Sequence, residues 1–420
     1  MPYAKLKGTY DIPPADSGFY SRIEGVAERA ANVSGFRKVD FPVIEYAEMF
    51  ARGAGESSDI VVKKEMYVFE DLGKRLIALR PEGTAGAVRL YLENGLSMQG
   101  YAAKLFYSGP MFRAEKPQAG RYRQFRQFGF EYLGDGTPLA DVELILLAKS
   151  ILDGLSIKDY TVYINSIGCR ECRPKQLEAL KAYFAPRVAE MCEDCKKRYE
   201  TNVMRILDCK EERCRVHIEG APSMHDSLCE ACRDHFETVK RGLEAAGVPY
   251  EVDTRLVRGL DYYSRTVFEF KSGLLGAQST VLAGGRYDYL VREFGGMETP
   301  AAGFAIGMER LAMLFEASGA KREDFCQVPD VYVAAIGEET KLPLLGILSQ
   351  LRAAGISAVT EYRHSQLKKH LKSADAMKAR YCLFVGDDEL VKGIFTLRNL
   401  SDGSQREGGI GEIAGWLAAK

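Results

Sequence analysis

Hydrophobic and polar positions along the chain change their period several times, and each change marks an element. Over residues 17–34, Phe19, Ile23, Val26 and Ala30 recur at spacings of three and four, which predicts an amphipathic helix ended by Gly35-Phe36. Val39–Glu45 then reads as a strand broken by Pro42. Residues 66–70 and 75–79 alternate or run apolar on either side of Gly73, the pattern of a hairpin. A helix is predicted over 83–94, opening after Pro81-Glu82. Residues 104–115 and 124–133 predict two strands joined by the turn-rich segment Lys116–Gly120. Strand signals return at Tyr250–Asp253, Val267–Phe270 and Ser279–Ala283, and 303–317 reads as a helix. Many antiparallel strands with helices outside them predict an α+β sheet domain rather than a βαβ Rossmann unit.

Two stretches depart from that pattern. Residues 168–248 are charged, rich in cysteine and mainly helical in period, like an insertion with little core of its own. Asp324–Pro329 reads as a linker. Beyond it strands at Val331–Ile336, Ala358–Glu361, Tyr381–Val385 and Gly393–Asn399 alternate with helices at Leu342–Ala353 and Gln366–Ala376, which predicts a separate α/β domain. The expected boundaries are therefore 1–325, carrying the 168–248 insertion, and 329–420.

Length and charge bound the function. The 420 residues suffice for two or three domains. Lys+Arg is 57 against 58 Asp+Glu, a net charge of -1, which excludes a globally basic nucleic-acid binder but leaves room for local basic surfaces. The longest apolar run, around Leu144–Ile151, is short and broken by charge, so no transmembrane helix and no membrane partner are expected. Met1–Pro14 carries Lys5, Lys7 and Asp11 without an apolar core, unlike a secretory signal, and the expected location is cytoplasmic. The five histidines all lie beyond residue 216, so the first half has no local histidine base. That weighs against Ser-His-Asp and Cys-His hydrolysis there.

Eight of the ten cysteines fall between Cys169 and Cys232. Cys326 and Cys382 stand apart and read as buried small hydrophobes. The clustered ones form Cys169-x-x-Cys172, Cys192-x-x-Cys195, Cys209-x-x-x-x-Cys214 and Cys229-x-x-Cys232, each spaced like one knuckle of a zinc site. Eight thiols suffice for two zinc ions, or for one iron–sulfur cluster with spares, and the spacing does not say which pairs combine. Zinc held there would be structural, contributing folding energy.

Residues 112–131 carry Arg113, Glu115, Arg121, Arg123 and Arg126 interleaved with Phe112, Phe125, Phe128 and Phe130. Arginine's planar fork binds two phosphate oxygens at once, and an aromatic ring beside it offers a stacking face for a base. Taken alone, such a hairpin is more often a surface element with cross-strand ion pairs. Its residue order carries more. Phe-Arg-x-Glu, a loop, then Arg-x-x-x-Phe and a terminal acid resembles the second signature motif of class II aminoacyl-tRNA synthetases. Gly35–Glu45 and Gly303–Leu311 resemble the first and third motifs, in the same order. Leu79-Arg80-Pro81-Glu82-Gly83-Thr84, Leu256-Val257-Arg258-Gly259-Leu260-Asp261-Tyr262-Tyr263 and Ala283-Gly284-Gly285-Arg286-Tyr287-Asp288 narrow the resemblance to histidyl-tRNA synthetases. It runs from Gly8-Thr9-Tyr10-Asp11 into the C-terminal domain, with one small departure at Tyr289, where the family often has glycine.

The resemblance implies a class II catalytic domain and a C-terminal anticodon-binding domain. It implies ATP-dependent activation of histidine and transfer to the terminal ribose of histidine tRNA, with ATP and Mg²⁺ required. It implies that Arg113 and Arg258 are catalytic cations. ATP would be held by Arg113 on the α-phosphate, Arg310 on the γ-phosphate, Glu115 near the adenine amino group, Phe125 against the ring, and Arg121. Histidine would be held by Glu82, Gly83, Thr84 and Gln127 around the ammonium, by Glu131 and Tyr263 at the imidazole, by Arg258 at the carboxylate, and by Tyr262 and Tyr287 as walls. Gln118 and Arg121, in the loop Lys116–Tyr122, would meet the tRNA acceptor end. The first motif implies a homodimer. Tyr362–Arg380 carries six Lys/Arg against one Asp and is a further candidate for RNA contact. The rival reading is the regulatory paralogue of ATP phosphoribosyltransferase. That protein would be expected to lack the C-terminal domain and the phosphate-binding arginines, and this chain keeps residues 330–420 with Arg113, Arg258 and Arg310.

Overall fold

The computed structural model describes residues 3–54, 65–118, 120–276 and 279–419. Two compact units divide the chain, 1–325 and 326–420. In the first, eight strands form one sheet in the order Arg37–Lys38, Ala103–Phe112, Gln124–Leu133, Ala301–Gly307, Thr280–Arg286, Ser264–Lys271, Thr161–Ser166 and Glu251–Val252. The two outermost pairings are parallel and the rest antiparallel. The α+β expectation holds.

Alternation along the central strands divides the sheet's work. On Gln124–Leu133, Phe128 and Phe130 point into a core shared with helices Pro14–Val33, Pro138–Gly154, Glu230–Ala245 and Met308–Ala317. Phe125, Gln127, Gly129 and Glu131 therefore face the other way. Phe130 is fully buried, its ring stacked 4.6 Å from Phe304 and 6.1 Å from Phe106. Deep in the same unit, Arg286 is 0% exposed and is held by Asp141 at 2.7 Å and Asp288 at 3.0 Å. A charge buried so deeply requires that degree of pairing.

The cysteine-rich stretch contains the helices Arg173–Phe184, Glu193–Thr201, Glu212–Ile218 and Glu230–Ala245. Its core is not separate. Leu180, Cys195, Ile206 and Cys214 belong to one buried cluster with Leu256, Tyr262, Tyr263 and Tyr287, while Phe236, Val239 and Leu243 join the main core.

Several local expectations need correction. Residues 303–317 are a strand, Ala301–Gly307, and then the helix Met308–Ala317, because Gly303 and Gly307 sit in a pleat closed by neighbouring strands. Val39–Glu45 is not one strand. The extended backbone around Pro42 leaves Arg37–Lys38 in the large sheet and Ile44–Tyr46 in a three-stranded sheet with Leu76–Leu79 and Val68–Glu70. Cys382 is buried, but Cys326 is only half-buried, at the start of the second unit.

The second unit is a five-stranded sheet in the order Ala358–Val359, Val331–Ala335, Tyr381–Val385, Phe395–Asn399, Gln405–Gly408. The first pairings are parallel and the last two antiparallel. Gln405–Gly408 was not foreseen, because three of its four residues are exposed and it has no apolar alternation. Among the described residues no helix is long and apolar enough to cross a membrane.

Phe130→Ala is expected to lower the unfolding free energy of the larger unit by about 3–5 kcal/mol, since the rings around it cannot close the gap. Urea denaturation measures this, and a loss below about 1 kcal/mol would show that the stack does not organise the core.

Candidate active site

The outward face of the central strands floors a cavity of about 570 Å³. Strand register decides who meets there. Gly129 lies opposite Tyr107, and Glu131 lies opposite Gly303. A Cβ at Gly129 would fall 2.0 Å from the Tyr107 ring, one at Gly83 2.2 Å from it, and one at Gly303 2.0 Å from Glu131 Oε2. These three glycines exist to admit one phenol and one carboxylate.

Glu131 is 1% exposed. Its Oε1 accepts from Thr84 Oγ1 at 2.8 Å and Tyr107 OH at 3.0 Å, and its Oε2 from Tyr287 OH at 2.5 Å. Burial pushes its pKa up to about 8, against the pull of the three hydroxyls. It lies one layer beneath the cavity wall, behind Thr84, Tyr107 and Tyr287, which do line it. Tyr107 was not singled out from sequence. It sits 24 residues from Glu131, and only the hairpin register joins them.

Glu82 opens the helix Thr84–Glu93, accepting from the backbone N–H of Thr84 at 2.7 Å and of Ala85 at 3.0 Å. That is a helix-capping role. Glu82 also lines the cavity, where a carboxylate's remaining lone pairs are available, and burial raises its pKa. Gln127, which also lines the cavity, has its Oε1 buried with no hydrogen-bond partner among the described residues. An unpaired acceptor of this kind is costly in an empty site and is satisfied by an incoming donor. Tyr262 and Tyr263 wall the cavity, their rings 4.7 Å apart, with Tyr287 5.6 Å from Tyr262.

Cations line the same cavity. Arg113 donates through Nε to the carbonyl of Pro81 at 2.9 Å, with its guanidinium 5.2 Å from the Phe125 ring centre. Arg310, in the first turn of the helix after the third motif's strand, donates to the Thr280 carbonyl at 2.7 Å. Burial lowers the Arg310 pKa, and the nearby charges of Arg121 and Arg113 lower it further. Arg121 pairs with Glu115 at 3.3 Å. Converging like charges cost free energy until an anion arrives, which is the condition a polyphosphate site meets.

Arg258 lines the cavity as well. Burial works to lower its pKa, but Glu269, Tyr263 and Tyr262 outweigh that and hold it above the usual value. Its partner Glu269, from the strand Ser264–Lys271, was missed from sequence, because the pairing crosses from a loop to a strand. Asp208, Lys210 and Arg215, from the cysteine-rich segment, also line the cavity and were not anticipated there. Gln118 is exposed and does not line it. It pairs in a backbone bridge with Arg121 at the tip of the hairpin, where Ala119 lies outside the described residues. No histidine is among the described residues lining the cavity.

An antiparallel sheet that floors a substrate cavity, with arginines entering from a hairpin strand and from the helix after a glycine-rich strand, defines the catalytic core of a class II aminoacyl-tRNA synthetase. Comparison with known proteins specifies it further. Residues 8–311 match the family model for histidyl-tRNA synthetase, and residues 330–420 match that for an anticodon binding domain. The chain is 44% identical to the histidine–tRNA ligase of Thermosipho melanesiensis over 96% of each, and 43% identical to that of Desulfatibacillum aliphaticivorans over 99% of this chain and 98% of the relative. The crystal structure of apo Staphylococcus aureus histidyl-tRNA synthetase superposes with a TM-score of 0.83 at 32% identity, covering 99% of this chain and all of that one. The chain belongs to the histidyl-tRNA synthetase family, the ATP-dependent histidine–tRNA ligases.

Glu131 generates a pH-dependent contribution to stability. Its folded pKa is raised, so the native state binds the proton more tightly than the unfolded chain, and this stabilisation is lost as pH rises from about 5 through 8. The stability of Glu131→Gln relative to wild type is therefore expected to increase over that range in parallel urea titrations. A difference independent of pH would show that Glu131 is ionised throughout.

Proposed function

We propose that the cavity performs both half-reactions of histidine–tRNA ligation, with its two ends divided between amino acid and nucleotide. What supports this reading is that a buried acceptor with no partner among the described residues, Gln127 Oε1, and the converging Arg113, Arg121 and Arg310 line one cavity. Glu82, Gly83, Thr84 and Gln127 receive the ammonium group. Tyr263 and Glu131 serve the imidazole, Glu131 from the floor beneath Tyr107 and Tyr287, and Tyr262 and Tyr287 wall the ring.

In the first half-reaction a histidine carboxylate oxygen bonds to the α-phosphorus and the bond to pyrophosphate breaks. Two anions must approach, so Arg113 and Arg258 neutralise the carboxylate and α-phosphate as charge builds on phosphorus. Arg310 grips the far end of the triphosphate, Glu115 receives the adenine amino group, and Phe125 stacks on the base. In the second half-reaction a hydroxyl of the tRNA's terminal ribose attacks the carbonyl carbon, and AMP leaves with the electron pair of the mixed anhydride. Neither step calls on a histidine base. Mg²⁺ would accompany the triphosphate, and Glu269, which lines the cavity, is a carboxylate of the kind that would hold it. When bound, it neutralises charge on the pyrophosphate.

Gln118 and Arg121, at the tip of the hairpin, meet the acceptor end of histidine tRNA. In the second unit, the exposed Lys368, Lys369 and Lys372 on the helix Leu367–Ala376 offer a basic face for the RNA backbone. A homodimer is supported by exposed apolar side chains on the three-stranded sheet beside the first motif, among them Ile44, Tyr46, Phe69 and Leu76. The protein works in the cytoplasm, and the clustered cysteines bind structural zinc.

The test is ATP–pyrophosphate exchange with each of the twenty amino acids, on wild type and Arg258→Ala. Exchange is expected with histidine alone, and the variant is expected to lose about 10²–10³-fold, the scale for a charge-stabilising donor. No exchange with any amino acid would reject the reading.

A further inference from the structure

The eight clustered cysteines sort into two sets. Cys169, Cys172, Cys229 and Cys232 form one, and Cys192, Cys195, Cys209 and Cys214 the other, and within each set the sulfurs lie within 4.8 Å of one another. All eight are free thiols. Sulfur separations are 3.6 Å for Cys169–Cys172, 4.0 Å for Cys169–Cys229 and 3.7 Å for Cys192–Cys209. A tetrahedron of sulfurs at about 2.3 Å from a central zinc has edges of about 3.8 Å. An iron–sulfur cluster interposes iron and sulfide between its thiolates and needs them further apart. Backbone N–H groups also point at these sulfurs, from Cys229 to Cys172 at 3.1 Å and from Cys192 to Cys214 at 3.2 Å. Such donors stabilise thiolate charge around a metal.

Both sets are wired to the same stretch of chain. Leu256–Tyr263 has no helix or strand of its own, yet it carries Arg258, Tyr262 and Tyr263. Arg173, the residue after Cys172, donates to the backbone carbonyls of Asp261 and Tyr263. Asn202, between Cys195 and Cys209, donates through Nδ2 to Asp261 Oδ1 at 2.8 Å. Cys192, Cys195 and Cys214 lie in the buried cluster that contains Tyr262 and Tyr263. An irregular loop presenting a buried arginine and two tyrosines needs outside support to hold its geometry.

We propose that the eight cysteines form two separate four-thiolate zinc centres, which brace the Arg258–Tyr263 loop from two sides so that zinc occupancy sets the affinity for histidine. The bracing half rests on the reading of that loop as part of the histidine site. Arg173 and Asn202 are positioning residues in this scheme, since neither lines the cavity.

The test uses the full chain purified without chelator. Elemental analysis is expected to find about two zinc ions per chain, and about one in each of Cys169→Ser/Cys172→Ser and Cys192→Ser/Cys195→Ser. Zinc near one per chain in wild type, or below about 0.2, would overturn the two-centre assignment, because a structural site is nearly full. Replacing zinc by cobalt should give the absorption of tetrahedral thiolate coordination. Histidine binding by calorimetry is expected to weaken at least tenfold on stripping and to recover on adding zinc. Asn202→Ala should keep both zinc ions and raise KM for histidine severalfold with kcat little changed. That variant decides the bracing half if stripped protein or the serine variants unfold. Unchanged histidine affinity in Asn202→Ala and in Arg173→Ala, with zinc bound, would overturn the bracing. Histidine-dependent pyrophosphate exchange by zinc-loaded wild type separates these outcomes from failure of the synthetase reading itself.

Discussion

A carboxylate buried beneath the floor of a cavity stays there only if donors surround it and space is left for it. Glu131 meets both conditions. Three hydroxyls, from Thr84, Tyr107 and Tyr287, come from a helix start, a neighbouring strand and the end of another strand. Glycines at 83, 129 and 303 leave the room that any Cβ would fill. Satisfying one buried group thus fixes the register of the central strands, the start of the helix Thr84–Glu93 and the position of the Tyr287 turn. A site built around buried polar groups rejects ligands that leave those groups unpaired.

The rest of the cavity follows from charge. Arg113, Arg121 and Arg310 are brought together from a hairpin and a helix, with the carboxylates of Glu115 and Glu269 nearby. Arg258 is held by Glu269 between this cluster and the tyrosines. Preorganised cations of this sort supply transition-state stabilisation without a proton shuttle. Two of the histidines hold buried structural positions. His235 is buried against Asp141 at 2.7 Å, and His370 between Tyr332 and the Ala335 carbonyl.

The sequence shows period and motif well, and register poorly. The pattern of apolar and polar positions over 124–133 is local, so that strand was legible, while the side each residue faces was not. The arginines of the signature motifs were legible for the same reason. Tyr107 and Glu269 were not, because each acquires its role from a partner that only the folded sheet brings near. The glycine-rich strand Ala301–Gly307 resembled a helix because small residues carry little period of their own, and tertiary pairing decided its state. The cysteines showed their pair spacing but not their pairing. Folding joins the first pair to the last and the two middle pairs to each other. It also brings Lys210 and Arg215 to the cavity from a segment that read as peripheral.

The most direct test of Glu131 as the centre of the histidine site is calorimetric titration of histidine, and separately of ATP, into Glu131→Gln and Tyr107→Phe. Glu131→Gln leaves the buried hydroxyls that aim at Glu131 mispaired, a cost of about 1–3 kcal/mol, so histidine affinity is expected to fall roughly 5- to 100-fold in Glu131→Gln and less in Tyr107→Phe, with ATP affinity unchanged in both. Wild-type histidine affinity in Glu131→Gln, or an equal loss for ATP, would contradict the assignment.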